Sequence, residues 1–372
     1  MPSHISFNSF VGNSRAVDVL KRAIAQDRLP HAMIFAGPEG VGKCTLALLT
    51  AQALNCLSPK DGDACGRCLP CQRIMGIIES RHKSCENGES FCGVCPVCVA
   101  RGKSHPDIHL IEPEKKTVIE IERVRSLISE VAFQPLEARY RVMILDPAER
   151  MKIEAHNALL KTLEEPPSRT IIILVTTNPY SLLETIRSRA RILNFGEIPR
   201  EEIIRYMTQM AGQSTADAQL AAAFSNGSLA VAMDFDTTEY RDVREQAWQF
   251  VKMLLGRGNF TDASALVAKV AKKSAGDEAS GKTTKSAKKD KGGFPAWLES
   301  VSALLQDVYY SGLDDGRIGN RELFEEIRML RRKTRQSRLI QAIEGLRKLK
   351  NDLQYNVNKQ IALEALFIKL IR

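Results

Sequence analysis

Residues 33–45 read MIFAGPEGVGKCT: an apolar, strand-sized run, a glycine-rich turn, then the start of the helical stretch LALLTAQAL (46–54). Strand, loop and helix in that order are the setting in which a glycine-rich loop cradles phosphate on backbone N–H groups. Gly37, Gly40 and Gly42 supply the turn, and Lys43 supplies the cation that faces the phosphates. One part of the pattern is changed. The residue after the lysine is normally Ser or Thr, whose hydroxyl ligates the Mg²⁺ of the nucleotide. Here it is Cys44, a soft thiol poorly suited to that ion. Thr45 follows one residue later, where its side chain projects about 100° further around the helix. The expected nucleotide site, Gly37, Gly40, Gly42, Lys43, Cys44 and Thr45, therefore belongs to a fold that has lost hydrolytic chemistry, and a role in assembly is expected rather than turnover.

Outward from this loop, apolar strands alternate with amphipathic helices. Val142–Leu145 ends at Asp146, and Ile171–Val175 ends in TTN; continuous apolar strands of this kind suit a parallel sheet covered on both faces. Ile121, Val124, Leu127, Ile128 and Val131 fall at helical spacing, with a stop near Gln134-Pro135. Residues 150–165 make a further helix, closed by Pro166-Pro167. The reading is an α/β protein whose three-layer, parallel-sheet domain covers residues 1–195. Past Pro199 the pattern is all-α. Ile203, Ile204, Met207, Met210 and Ala211 mark one helix of a small lid over 196–239. A bundle follows over 240–372, with Leu339, Ile343, Leu346 and Leu353 on a late helix. The length of 372 residues agrees with two or three domains.

The hydrophobic fraction of 44% and charged fraction of 26% are those of a soluble globular chain. No apolar run approaches the ~20 residues of a membrane span. The start MPSHISFNSF lacks a basic segment followed by an apolar one, so a cytoplasmic location is expected. Of the net charge of +9, residues 272–291 contribute +4, from seven lysines against Asp277, Glu278 and Asp290. The Lys/Gly/Ser-rich stretch 272–293 has no large apolar residue and is expected to be disordered, as a solvated insertion or a polyanion-attracting tail. A second basic cluster, Arg328, Arg331, Arg332, Lys333, Arg335 and Arg338, reads as a solvated helix end first and a phosphate contact second.

Eight of the nine cysteines form two sets. Cys56, Cys65, Cys68 and Cys71 are followed by Cys85, Cys92, Cys95 and Cys98, the last three of each set being offset by 27 residues with the shared pattern Cys-Gly-x-Cys-x-x-Cys. This is an internal duplication. In a cytoplasmic chain such turns read as metal sites rather than disulfides. Four thiolates close a tetrahedral zinc shell with no open position, so two structural zincs are expected. The same spacing also admits an iron–sulfur centre or a single degenerate site. Arg67, Arg73, Arg81 and Lys83 can offset the thiolate charge. Cys44 is left over. His105 is read as a turn residue before the next strand rather than a substitute ligand, and His156 has no partner at metal or triad spacing.

The segments FVGNSRAVDVLKRAI (10–24), RLPHAMIFAGPEGVGK (28–43), ERMKIEAHNALLKTLEEPP (149–167) and TIRSRAR (185–191) together resemble the clamp-loader branch of the AAA+ ATPases. A cysteine module after the phosphate-loop helix is a further mark of the bacterial subunits, which usually carry one copy. The resemblance implies that Lys43 faces the β- and γ-phosphates and that Asp146 orients the metal. It places Pro147 where a glutamate orients the attacking water, and Val231, in GSLAVAM (227–233), where an arginine senses the γ-phosphate. Loss of a water-orienting group from a site that works by positioning and electrostatics costs orders of magnitude in rate.

Ser188-Arg189-Ala190 matches the family's Ser-Arg-Cys motif, whose arginine enters the neighbouring subunit's nucleotide site. Arg189 is thus the expected catalytic residue in trans, set against a bland role as a helix cap or surface ion pair; Arg187 and Arg191 are basic neighbours. Asn178 matches a polar sensor position or caps a turn. Asn157 and Glu164 are expected to hold their helix against the sheet.

The implied role is a non-hydrolysing part of a DNA-directed DNA polymerase holoenzyme in DNA replication, with doubtful ATP/Mg²⁺ binding. Its partners would be gamma/tau-type and delta-type loader subunits, a sliding clamp and primed DNA, and its terminal bundle would join their collar. Two alternatives stand beside it: an ATP-hydrolysing gamma/tau-type subunit in which Glu149 replaces the missing acid, and a zinc-stabilised nucleic-acid-binding protein on a retired ATPase fold.

Overall fold

The computed structural model describes residues 5–80, 105–113, 118–131, 134–256, 259–268, 294–352 and 359–371. The expected second cysteine set (Cys85, Cys92, Cys95, Cys98), with Arg81 and Lys83, and the Lys-rich stretch 272–293 lie outside the described residues. The chain divides into two compact units, Met1–Gln213 with Asn226–Val231, and Ser214–Ser225 with Ala232–Arg372.

The first unit is built on five parallel strands: β1 (Ala32–Ala36), β2 (Ile108–Ile111), β3 (Arg141–Leu145), β4 (Thr170–Thr176) and β5 (Arg191–Asn194), in the spatial order β2-β3-β4-β1-β5. Ile34 of β1 pairs in register with Leu174 of β4 on one side and Ile192 of β5 on the other. Every residue of β1, β3 and β4 is buried, which is why all three read as unbroken apolar runs. Alternation sends Ala32, Ile34, Ala36, Met143, Leu145, Ile172 and Leu174 to one face. They share a core there with Val124 and Leu127 of helix Ile121–Val131 and with Ala155, Leu159 and Leu163 of helix Ile153–Glu164. Helix Lys43–Leu54 is buried along almost its whole length, as a helix that is apolar on all sides must be. This is the α/β three-layer AAA+ architecture expected from the sequence.

Three local expectations are corrected. The helix expected over 150–165 is two pieces, a short 3₁₀ turn at Ala148–Arg150 and the helix Ile153–Glu164. Met151 leaves the helix to bridge Ile119, and the Arg150 carbonyl accepts from Ile119 N at 2.9 Å. The helix carrying Ile203 and Met207 ends at Gln209, so Met210 and Ala211 fall outside it, and Gly212 follows with φ +67°. Finally, Asn157 and Glu164 are exposed rather than turned to the sheet; Ala155, His156, Leu159, Thr162 and Leu163 are the helix's buried positions.

The second unit is all-helical. Helices Thr237–Leu255, Phe294–Tyr310, Phe324–Lys333, Gln336–Asp352 and Lys359–Ile371 surround one apolar core that includes Trp248, Phe250, Trp297, Leu339, Leu346 and Phe367. Asp307, nearly buried, accepts from Gly319 N, Asn320 N and Asn320 Nδ2 at 2.7–2.9 Å, which ties down the 311–323 connection. Among the described residues no helix is long and apolar enough to cross a membrane.

Candidate functional site

The phosphate loop leaves β1 at Gly37, whose φ of +153° and whose contact with the Phe195 carbonyl leave no room for a Cβ: an ideal one would sit 2.3 Å from that oxygen. Lys43 opens the helix that follows, and its ammonium is turned back onto its own loop. Nζ donates to the carbonyls of Gly37 at 2.6 Å and Pro38 at 2.5 Å. The side chain is 7% exposed, and burial lowers its pKa although Asp146, Glu149 and Glu39 pull the other way. Cys44 is buried and Thr45 half-buried.

Two segments close over this loop. The Phe10 ring lies against Gly42, within 2.8 Å of where a Cβ would stand. Residues 226–231 cover Gly40. Ala230 N donates to the Gly40 carbonyl at 3.2 Å, and the Ser228 hydroxyl lies 2.0 Å from the position a Gly40 Cβ would take. Val231, at the expected sensor position, is about half exposed. Neither FVGN nor GSLAVAM carries a local signal of this cover, because each reaches the loop from a distant part of the chain.

At the end of β3, Asp146 is followed by Pro147, so no carboxylate occupies the next position. Glu149 does reach the region. Its Oε1 accepts from Thr177 N at 3.0 Å and Thr177 Oγ1 at 2.7 Å, while Oε2 is enclosed with no partner among the described residues. Burial would raise the Glu149 pKa, but the Thr177 donors outweigh it and the net shift is downward. Asn178 caps a turn, its Oδ1 accepting from Tyr180 N at 3.0 Å. A thiol thus stands in the place of the Mg²⁺-ligating hydroxyl, and the loop lysine is engaged by its own loop carbonyls.

The first cysteine set is assembled. The Sγ atoms of Cys56, Cys65, Cys68 and Cys71 all lie within 4.8 Å of one another. Zn–S bonds of about 2.3 Å in a tetrahedron require sulfurs about 3.8 Å apart, so a small contraction seats the ion. The donor chemistry also fits. Backbone N–H groups of Arg67 and Cys68 aim at the Cys65 sulfur and hold its pKa down to about 6, against burial. Burial raises Cys56 and Cys71. The cluster is joined to the phosphate-loop helix, because Gln52 Nε2 donates to the Cys71 carbonyl at 2.8 Å. Arg73 is not free to neutralise it, being paired with Glu137 at 2.5 Å. His105 is buried beside the following turn, where its Nδ1 accepts from Asp107 N at 3.2 Å, outside the cluster. His156 is buried, which lowers its pKa, and its Nε2 has no hydrogen-bond partner among the described residues.

Arg189 follows the short helix Glu184–Arg187 and is exposed. Nη1 donates to the Thr185 carbonyl at 3.0 Å and to Ser188 Oγ at 3.2 Å, and Nη2 forms an ion pair with Glu164 Oε1 at 2.8 Å. Arg189 thus makes both a helix-end cap and a surface ion pair. Arg187 stacks over the Tyr180 ring at 5.0 Å. Glu164 was missed as a site residue; its place at the end of a helix, where a carboxylate is unfavourable, was the available signal.

Fold and site together define a phosphate-loop AAA+ domain with a thiol cluster and a surface arginine. Residues 12–83 and 77–199 match the family model described as DNA polymerase III, delta subunit, half of the chain when taken together. The chain belongs to this DNA polymerase III clamp-loader family. It is 31% identical over 204 residues to the tau subunit of Bacillus subtilis DNA polymerase III, covering 55% of this chain and 31% of that protein. To the delta' subunit of the same organism it is 33% identical over 181 residues, covering 49% and 46%. The chain thus spans less than half the length of either. Among solved structures, a gamma-subunit-related protein of Thermotoga maritima DNA polymerase III matches with a TM-score of 0.37 at 15% identity, over 95% of this chain and 98% of that one.

Proposed function

We propose that this chain is a delta-prime-like subunit of the clamp loader: a stator that does not hydrolyse ATP, lends Arg189 to the nucleotide site of an adjacent ATPase subunit, and helps place a sliding clamp on primed DNA. The observation that carries the reading is the asymmetry between the two halves of its chemistry. Its own loop pairs Cys44 with a sequestered Lys43 and has Pro147 in place of the water-orienting acid, while Arg189 stands exposed at the surface. An arginine supplied to a neighbour's γ-phosphate stabilises charge that develops on transfer, worth roughly 10³–10⁵ in rate. The four thiols Cys56, Cys65, Cys68 and Cys71 would hold a structural zinc, with Cys85, Cys92, Cys95 and Cys98 holding a second. Zinc in such a shell supplies fold stability and no open coordination site. Residues 196–239 would serve as the lid and the helical 240–372 region as a collar element. A cytoplasmic location follows from the same role.

The test is reconstitution with an ATPase-competent loader subunit. Alone, the chain should leave ATP intact. In the complex, Arg189→Ala should abolish most of the clamp- and DNA-stimulated turnover, and unchanged turnover would reject the finger. A second reading, a gamma/tau-type ATPase, draws on the enclosed, unpartnered Oε2 of Glu149. Brisk hydrolysis by the isolated chain that Glu149→Gln removes would establish it.

A further inference from the structure

Two of the motifs that carry the family resemblance, NALLKTLEEPP and TIRSRAR, meet in space. Leu159 and Leu163 of helix Ile153–Glu164 share a core with Leu182 and Ile186, and Ala190 packs against its edge. That apolar contact fixes Glu164, one residue beyond Leu163, beside Arg189, three residues beyond Ile186.

Helix stability gives no reason for a carboxylate at this place. Glu164 is the last residue of its helix, where the unpaired carbonyls make negative charge unfavourable. It is half exposed, so it contributes little to packing, and its one charged partner among the described residues is Arg189. The guanidinium is held from two directions. Nη1 donates to Thr185 O and Ser188 Oγ, and Nη2 forms the ion pair with Glu164. A guanidinium has five N–H groups. Among the described residues neither Nε nor Nη2 donates a hydrogen bond, so the edge that grips phosphate oxygens in bidentate fashion is open to an outside acceptor.

We propose that Glu164 is a positioning residue for Arg189: its carboxylate pre-orients the guanidinium so that the Nε/Nη2 edge faces the phosphate of the neighbouring subunit. The inference rests on Arg189 acting as the finger. Because the pair is exposed, its effect on the population of the productive rotamer is limited to roughly three- to fivefold.

The experiment uses the full chain reconstituted with its ATPase partner, comparing wild type, Glu164→Gln, Glu164→Asp and Arg189→Ala. Glu164→Gln should lower kcat for clamp- and DNA-stimulated hydrolysis about three- to fivefold at low salt. KM for ATP, complex assembly and Tm should stay unchanged, and the gap from wild type should narrow as added salt screens the pair. Glu164→Asp, which keeps the charge, should recover part of the rate. Glu164→Gln turning over at the wild-type rate at low salt, beside an inactive Arg189→Ala, overturns this inference and leaves the finger standing. So does a rate loss that tracks a fall in Tm or in assembly. Arg189→Ala at the wild-type rate overturns the finger itself.

Discussion

Replacing Asp107 by Asn should destabilise the first unit severely. Asp107 is fully buried just ahead of β2, and its carboxylate holds both a run of backbone N–H groups and a guanidinium. Oδ1 accepts from Leu136 N at 2.8 Å and Oδ2 from Glu137 N and Ala138 N at 2.9 Å each, while Arg141 Nη2 lies 3.0 Å from Oδ1. Arg141 is itself only 4% exposed. An amide offers one acceptor oxygen. Whichever way it lies, either two backbone N–H groups, or Leu136 N together with the guanidinium, face an NH₂ group, and Arg141 loses the negative charge of Asp107.

Breaking one side of a buried pair costs about 3–5 kcal/mol. At about 2–4 °C per kcal/mol for a unit of this size, Tm should fall by roughly 6–20 °C. Urea melts of Asp107→Asn and wild type, followed by far-UV circular dichroism and by fluorescence, measure this directly. A loss under about 1 kcal/mol, the scale of an exposed pair, refutes the reasoning.

The pH dependence checks it again. Burial pushes the Asp107 carboxyl up, but the backbone donors and Arg141 outweigh it, so its pKa lies below the ordinary value. A lowered folded-state pKa means stability present above the unfolded value of about 3.9 and lost as pH falls through the folded one. The gap between wild type and variant should therefore be full near neutrality and shrink below about pH 4.

Other expectations are as direct. Metal analysis should return two zincs per chain, with chelation or Cys71→Ser removing the first and lowering Tm; a single zinc in the intact chain would rule out the tandem arrangement. Glu149→Gln should leave the isolated chain as inactive toward ATP as before, and a measured drop from a real basal rate would favour the ATPase reading instead. Gly37→Ala should cost about 1–3 kcal/mol from backbone strain, since its Cβ would meet the Phe195 backbone carbonyl, which cannot swing aside; a melt within error of wild type would contradict the close approach. Direct binding of the lone chain to DNA with a steep salt slope would favour the nucleic-acid-binding alternative.

Sequence reading succeeded where the physics is local. Strands β1, β3 and β4 are buried on both faces, so MIFA, VMIL and IIILV could hardly be anything else. Helix Lys43–Leu54 and the first cysteine set were equally legible, because turn chemistry and ligand spacing are written in neighbouring residues. Strand β5 was missed: RILN sits at the sheet edge with both end residues exposed, so it carries no unbroken apolar run. The cover of Ser228 over Gly40 and the pairing of Glu164 with Arg189 depend on approaches between distant segments, which no periodicity records. Asn157 misled for a different reason. Its neighbours in NALLKTLEE are core residues, but the helical period turns Asn157 itself to solvent.

The base of the cysteine insertion explains how the chain tolerates a doubled module. Asn55, the last residue before the insertion, exchanges two hydrogen bonds with the Tyr140 backbone, Nδ2 to O at 3.0 Å and N to Oδ1 at 2.8 Å. Asp107, on the returning side, grips residues 136–138 and Arg141 of the same connection. Departure and return are thus clasped to one short stretch of chain, like the neck of a purse. Lengthening what hangs beyond a closed neck costs only about 0.6 kcal/mol per doubling of its span. A gene could therefore gain or shed a 27-residue copy while the sheet above it stayed undisturbed.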